Sequence, residues 1–268
     1  MKEFRIALQK FIISNNQIIK AVNEHRGRNS LTKKCEQINH NILKTIALDT
    51  QLPYISKHDQ IDFEERKMWE NFWLISPILG KKSVQEKKDD FLIAITKIEN
   101  QRPTFGLISA PLKNMMFIST DNKAFKIENI NFALTFGLDE LLKVENRIKE
   151  PIEGVFFTIM KSKPTMNAQT EKYLDDFKLY KSGVIEEKID PSPMRLIRLA
   201  EGSYDFHPHF KSINEWEIAP FDALITACGK RVTQKDGIMP LQYNSKKLKF
   251  ESFIAKSNFD IDSTDLKE

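Results

Sequence analysis

Cysteine is scarce: Cys35 and Cys228 are the only two in 268 residues, with no CxxC pair and no Cys/His cluster at zinc spacing. That excludes a disulfide framework and points to a reducing compartment. Long hydrophobic runs are also missing. The stretch from Phe4 to Ile19 carries apolar residues at helical spacing. It is broken by Arg5, Gln9, Lys10, Asn15, Asn16 and Gln17, which a signal peptide or membrane span would not tolerate. There is no internal repeat and no low-complexity linker. Charge of one sign is not in large excess, since 41 Lys and Arg face 37 Asp and Glu for a net charge of +4. The lysine pairs at 33–34, 81–82, 87–88 and 246–247 are scattered among acids, which argues against a nucleic-acid-binding stripe. What is there, 41% hydrophobic and 29% charged residues, describes an ordinary globular chain, expected to be soluble and cytoplasmic.

The chain is long enough for one large domain or two that share an interface. Helical periodicity runs from about residue 3 to 24, and a second stripe follows with Ile38, Ile42, Leu43 and Ile46. FWLIS at 72–76 reads as a short buried strand. FLIAITKI, FGLISA and MMFIS, joined by short Pro- or Asn-bearing turns, read as a β-meander within 91–118. Residues 136–148 are expected to be helical and GVFFTIM (154–160) to be a strand. NAQTEKYLDDF is expected to be a helix capped by Asn167. EWEIAPFDALITACG (215–229) reads as a helix ended by Gly229, with Pro220 confined to its first turn, and Asp236-Gly237 reads as a hairpin. The organisation is therefore mixed α and β. An N-terminal α+β half (1–152) and a C-terminal α/β half (153–268) share a cleft, with a soft boundary near Pro151.

Four passages carry a family resemblance. WLISPILGKK (73–82), leading into FGLISAP (105–111), is similar to a W-x-x-D-P-L-D-G-T segment followed by an antiparallel pair. KSKPTMNAQTEKYL (161–174) is a weaker match. MRLIRLAEGSYDFHPHF (194–210) resembles a helix-and-AEG segment. EWEIAPFDALITACGKRVTQKDGIMPLQY (215–243) resembles a W-D-x-A-A-G helix with its V-x-x-x-D-G-x-P-L-x-Y ending. Together, over about residues 30–245, they resemble the inositol monophosphatase superfamily, in its 3'(2'),5'-bisphosphate nucleotidase branch. The resemblance implies a layered αβαβα sandwich of the sugar phosphatase type. It also implies phosphomonoester hydrolysis by magnesium (Mg2+) and an activated water.

The acids that such chemistry needs are missing from the matching positions. The paired glutamates fall on Lys57 and His58. The two aspartates of D-P-L-D-G-T fall on Ser76 and Leu79, and its threonine on Lys81. A further aspartate falls on Cys35, with Thr32 retained, and Glu217 alone keeps a carboxylate. Magnesium needs oxygen ligands, and a leucine and two ammonium groups supply none. The expectation is a catalytically inactive phosphatase relative with no metal site and no cofactor. It would hold a nucleotide bisphosphate or sugar phosphate through Lys57, Gly80, Lys81, Lys82, Arg195 and Glu217, with Gly80 and Lys81 at a helix N-terminus. Arg195 enters because the resemblance aligns it with a phosphate-holding lysine.

Two alternatives stay open. One is an active magnesium-dependent nucleotidase that hydrolyses adenosine 3',5'-bisphosphate to AMP, with Asp59, Asp89 and Asp90 recruiting the metal. The other is a non-enzymatic interaction scaffold, and a homodimer is compatible with each. Cys35, His58 and Glu217 are weighed as a softer metal site, and His207-Pro-His209 as a chelate against the plainer reading of a surface loop. Trp73 and Trp216 read as core residues.

Overall fold

The computed structural model describes residues 2–24, 28–86, 88–120, 123–128, 130, 157–162, 166–180 and 184–259. The helix expected over 136–148, residues 154–156 and the boundary near Pro151 lie outside the described residues.

Two long helices come first, α1 (Lys2–Glu24) and α2 (Arg28–Thr50). They pack on one face of a six-stranded sheet whose order is the chain order: β1 (Tyr54–Ser56), β2 (Asn71–Leu79), β3 (Leu92–Glu99), β4 (Arg102–Ala110), β5 (Met115–Thr120) and β6 (Lys123–Glu128). β1 and β2 run parallel, and every later neighbour is antiparallel, as short connections require. Because strand side chains alternate, β2 sends Trp73 and Ile75 toward α1 and α2, and Phe72 and Leu74 to the other face. A run apolar at every position, as FWLIS is, therefore marks a strand covered on both sides. Two short helical turns, α3 (Phe63–Arg66) and α4 (Lys81–Gln85), flank β2.

The second sheet is five-stranded, ordered β11 (Arg231–Thr233), β13 (Phe253–Lys256), β9 (Phe206–His209), β7 (Phe157–Lys161) and β8 (Ile185–Ile189). Between the sheets lie α6 (Arg195–Ala200) and α7 (Glu215–Ala227), packed into a core with Leu74, Ile108, Met160, Phe221 and Phe253. On the outer face α5 (Ala168–Tyr180) covers Ile159, Phe206 and Ile254, and Asn167 Oδ1 accepts from Thr170 N at 2.8 Å as its cap. A two-stranded ribbon, β10 (Ile213–Asn214) with β12 (Lys249–Phe250), completes the α-β-α-β-α layering that the resemblance implied. No helix among the described residues is long and apolar enough to cross a membrane.

Three local readings change. The Asp236-Gly237 turn forms, with Gly237 at φ 72°, but β11 pairs with β13, and the turn's arms are tied by Gln234, which donates to Met239 O at 2.7 Å and Pro240 O at 3.2 Å, and by the Thr233–Pro240 bridge. His207 and His209 lie on no surface loop. They are 1% and 4% exposed, because β9 sits inside its sheet between β13 and β7. Pro220 is the sixth residue of α7, beyond the first turn. Its missing N–H would deprive the Trp216 carbonyl of a helical donor, and the buried Ser76 hydroxyl donates to that carbonyl instead. Close packing of α7 on the sheet also requires Gly106: a Cβ there would lie 2.9 Å from Ser119 Oγ and 3.1 Å from Ala223 Cβ.

Candidate functional site

β2 is interrupted at Pro77. The register with β3 slips between Ser76, opposite Ala94, and Leu79, opposite Leu92, because a proline gives no N–H to the ladder and one extra residue bulges out. The bulge is pinned from beneath. Buried Asn39 of α2 donates to Ser76 O at 3.3 Å and to Pro77 O at 2.5 Å, while its Oδ1 accepts from Ser14 at 2.8 Å. Beyond the bulge Gly80 takes φ 83°. A Cβ at Gly80 would fall 2.6 Å from Pro193 Cγ, so only glycine fits between β2 and the turn that opens α6.

A cavity of 330 Å³ opens beside this bulge. Its walls are Ser76 to Leu79 and Lys81 on one side, Glu36, Lys57 and Gln60 on a second, and Asn214, Trp216, Glu217, Lys247 and Lys249 on a third. Glu36 reaches in from α2 with its carboxylate 10% exposed. Its Oε1 accepts from Lys81 Nζ at 2.9 Å and from Lys57 Nζ at 3.5 Å. Burial alone would raise the pKa of Glu36, but the hydrogen bond from Lys81 and the two positive charges outweigh it and hold the carboxyl below its usual range. Lys57 is pushed below the ordinary lysine value by the neighbouring Lys81 ammonium and by desolvation, against the pull of Glu36. Lys81 sits above that value: burial acts against it, and its bond to Glu36 with the nearby charge of Glu217 prevails.

Glu217 faces the same space but is committed to its own helix. Its Oε2 accepts from Asn214 Nδ2 at 2.6 Å and from Asn214 N at 3.1 Å, one arm of a capping box at the start of α7. Four lysines and two glutamates thus line the cavity, leaving two positive charges uncompensated.

The structure brings Lys57, Ser76, Leu79, Lys81 and Glu217 together around one space and leaves the other expected residues outside it. Cys35 is fully buried among Leu31, Leu43 and Ile46, with its thiol pushed up to about 11 by burial. The cleft-facing acid is Glu36, one residue later. The signal was in the sequence: Leu31 and Cys35 are four apart and share the core stripe, so the next position turns to the stripe's edge. His58 is exposed and stacks edge-on to His40. Lys82 is exposed and pairs with Glu86 at 3.7 Å. Arg195 sits at the start of α6, bonded to Ser192 O at 3.2 Å and away from the cavity walls. α4 is only five residues long, too short to concentrate a helix dipole at Gly80. Of the three acids weighed for recruiting a metal, Asp59 is engaged with His40 at 2.8 Å and Asp89 with Lys113 at 2.8 Å, and Asp90 is not among the cavity walls. Trp73 and Trp216 are core residues.

Residues 4–260 match the model of the inositol monophosphatase family. The chain belongs to the inositol monophosphatase family. Among curated relatives it is 27% identical to the 3'(2'),5'-bisphosphate nucleotidase CysQ of Shigella flexneri, over 79% of this chain and 76% of that protein. It is 28% identical to the CysQ of Buchnera aphidicola, over 72% and 67%. Among solved structures, a CysQ from Bacteroides thetaiotaomicron superposes with TM-score 0.85 at 23% identity, covering 96% of this chain and 97% of that one. An inositol monophosphatase II from Staphylococcus aureus superposes with TM-score 0.72 at 12% identity, covering 96% and 92%.

Membership corrects the expectation of no cofactor, because inositol monophosphatase and CysQ proteins are magnesium-dependent phosphatases. The residues around this cavity do not fit that ion. Magnesium demands near-octahedral oxygen ligands, usually one or two carboxylates with waters. Here two ammonium groups share one carboxylate oxygen of Glu36, Glu217 caps a helix, and Ser76 donates its hydroxyl to a carbonyl. Among the described residues no three His, Cys, Asp or Glu side chains converge where a metal could be held, Cys35, His58 and Glu217 included.

Proposed function

We propose that this inositol monophosphatase family member binds the phosphate of a phosphorylated nucleotide or sugar between Lys57 and Lys81, without hydrolysing it through a metal-activated water. The observation that carries the reading is the Glu36 carboxylate held by both ammonium groups. The pair already grips one oxyanion, and Lys57 and Lys81 remain 41% and 45% exposed toward an entering one. Two uncompensated positive charges match a phosphate monoester dianion. Leu79, on the same wall, offers no lone pair to an ion or a water.

A second reading, an active bisphosphate nucleotidase, is supported by relatives that bear that name and align over about three quarters of their length. A structural neighbour, an SaIMPase-II, has been crystallised with 2'AMP, which adds weight to a nucleotide as ligand in either case.

One assay separates the two. Adenosine 3',5'-bisphosphate is offered with magnesium and, separately, with EDTA, while binding is followed by calorimetry and free phosphate by colorimetry. We expect saturable binding in both buffers and no chelator-sensitive phosphate release. The double variant Lys57→Ala/Lys81→Ala should weaken binding about 10- to 100-fold, the range for lost hydrogen bonds to charged groups. Magnesium-dependent turnover abolished by EDTA would establish the second reading. Failure of the wild-type chain to bind would remove the first.

A further inference from the structure

Lys57 and Lys81 crowd a single acceptor. Both nitrogens lie against the same oxygen, Glu36 Oε1, at 3.5 and 2.9 Å, so two positive charges share one negative charge. Such crowding is relieved when one of the two amines gives up its proton. The geometry selects which. Lys81 holds the shorter bond and has the charge of Glu217 nearby, whereas Lys57 holds the longer bond. The two amines shift accordingly, Lys81 above the ordinary lysine value and Lys57 below it. A lysine set beside another cation is the arrangement that makes an amine nucleophilic near neutral pH.

The base of Lys57 is fixed, and its tip is open to the cavity. The residue follows β1 directly, in a tight loop built on the fully buried Ser56. Ser56 N donates to Asp59 O at 3.1 Å, and Ser56 Oγ accepts from His58 N and Asp59 N, both at 3.0 Å. Asp59 is held in turn by His40. From this anchored loop the Lys57 side chain reaches the cavity 41% exposed. On the wall formed by β2, Pro77, Ile78 and Leu79 supply apolar side chains, which offer no hydrogen bond to a competing water. The excess positive charge of the cavity draws an anion toward the same place.

We propose that Lys57 is a nucleophilic amine that forms a Schiff base with the carbonyl of a phosphorylated aldehyde, the class that includes the open-chain form of an aldose phosphate. This rests on the reading of the cavity as a phosphate-binding site and narrows its ligand: the phosphate brings the molecule in, and the carbonyl fixes it. The lone pair of the Lys57 amine attacks the carbonyl carbon, and the N–C bond forms as the π pair moves to oxygen. Lys81 Nζ gives that oxygen a proton. A second proton passes from nitrogen to the new hydroxyl, which leaves as water while the nitrogen lone pair completes the C=N bond. The resulting iminium keeps one positive charge at Lys57, so the phosphate retains both cationic neighbours, and Lys81 regains its proton from solvent.

Borohydride trapping on the full chain tests this, with pyridoxal 5'-phosphate as the probe and peptide mass spectrometry as the readout. Hydride reduces the iminium to a stable secondary amine and so marks the lysine that reacted. Lys57 should be modified at least about fivefold faster than Lys20 and Lys82, which are 74% and 84% exposed, since the rate follows the free-amine fraction. Pyridoxal, which lacks the phosphate, should lose that selectivity, and inorganic phosphate should protect Lys57. In Lys81→Gln the rate at Lys57 should fall about fivefold, because the cation that favours its free amine is gone. Lys81 is 45% exposed, so this variant should fold, which a thermal melt verifies. Lys57 modified no faster than the exposed lysines, or an adduct formed chiefly at Lys81, overturns the proposal. Selective modification of Lys57 that pyridoxal shares and inorganic phosphate does not prevent leaves the nucleophile standing and removes the phosphate site.

Discussion

Arg66→Ala should lower the unfolding free energy by about 3–5 kcal/mol, the usual cost of removing one partner from a buried charged cluster. Four acceptors lose their donor at once: Asn244 Oδ1, the carbonyls of Ser245 and Lys246, and Ile61 O, which takes the guanidinium Nε at 3.0 Å. Glu215 would be left as a buried carboxyl without its positive neighbour. Burial already raises its pKa, against the hydrogen bonds from Ser245 and Asn244 and the charge of Arg66. Arg66→Lys should recover little, since one ammonium on a flexible stem cannot span acceptors arranged for a planar fork. Urea unfolding should show the midpoint falling at constant slope. A loss below about 1 kcal/mol would mean that water replaces the guanidinium, and that the segment from Asn244 to Lys246 is not held by it.

Lowering the pH from 6.5 to 5.5 should cost about 2 kcal/mol through two histidines of β9, about 1 kcal/mol each, because a unit of pKa is worth ~1.4 kcal/mol. His207 is 1% exposed, its Nδ1 lies 2.9 Å from Met160 O, and burial followed by the nearby Arg195 charge holds it well below the ordinary histidine value. His209 is lowered to about 3 by the same causes. Both are neutral in the native state at pH 5.5, while the unfolded chain takes up protons below pH ~6.5. The unfolded state therefore binds more protons in this window, and stability falls with pH until the folded values are reached. Glu215 and Asp222 act with the opposite sign. Burial raises both, so the native state takes up their protons first and gains as pH falls. A His209→Gln variant isolates the histidine contribution: its loss between pH 6.5 and 5.5 should be smaller than wild type by about 1 kcal/mol. Parallel pH profiles for the two proteins would refute the assignment.

Strands covered on both faces and helices with one apolar stripe were legible in the sequence, because burial dictates period and composition together. FWLIS became the heart of β2, and the meander runs became β3, β4 and β5 with only their ends moved. What could not be read locally depended on partners distant in sequence. Pro220 is tolerated deep in α7 only because Ser76, 140 residues away along the chain, satisfies the carbonyl it leaves open. The paired histidines looked like loop residues because nothing nearby reports that β9 is an inner strand. At the site, alignment by motif picked out Lys57, Ser76, Leu79, Lys81 and Glu217, all of which face the cavity. It passed over Glu36 because a helix turns 100° per residue, so a neighbour in sequence can occupy a different environment. Lys247 and Lys249 carried no motif at all; their placement follows from a buried clamp assembled from Arg66 and Glu215, far apart in the chain.

The contact between Gly80 and Pro193 has a bearing on descent. Gly80 cannot change alone: a methyl group there meets the Pro193 ring, and the backbone is left-handed as well. Relatives that carry a side chain at the first site should therefore have exchanged the proline for something smaller and re-set the local chain path, so the two columns of a lineage comparison should shift as a pair. A side chain at 80 can therefore arise only after Pro193 has changed, so that corner drifts in a fixed order.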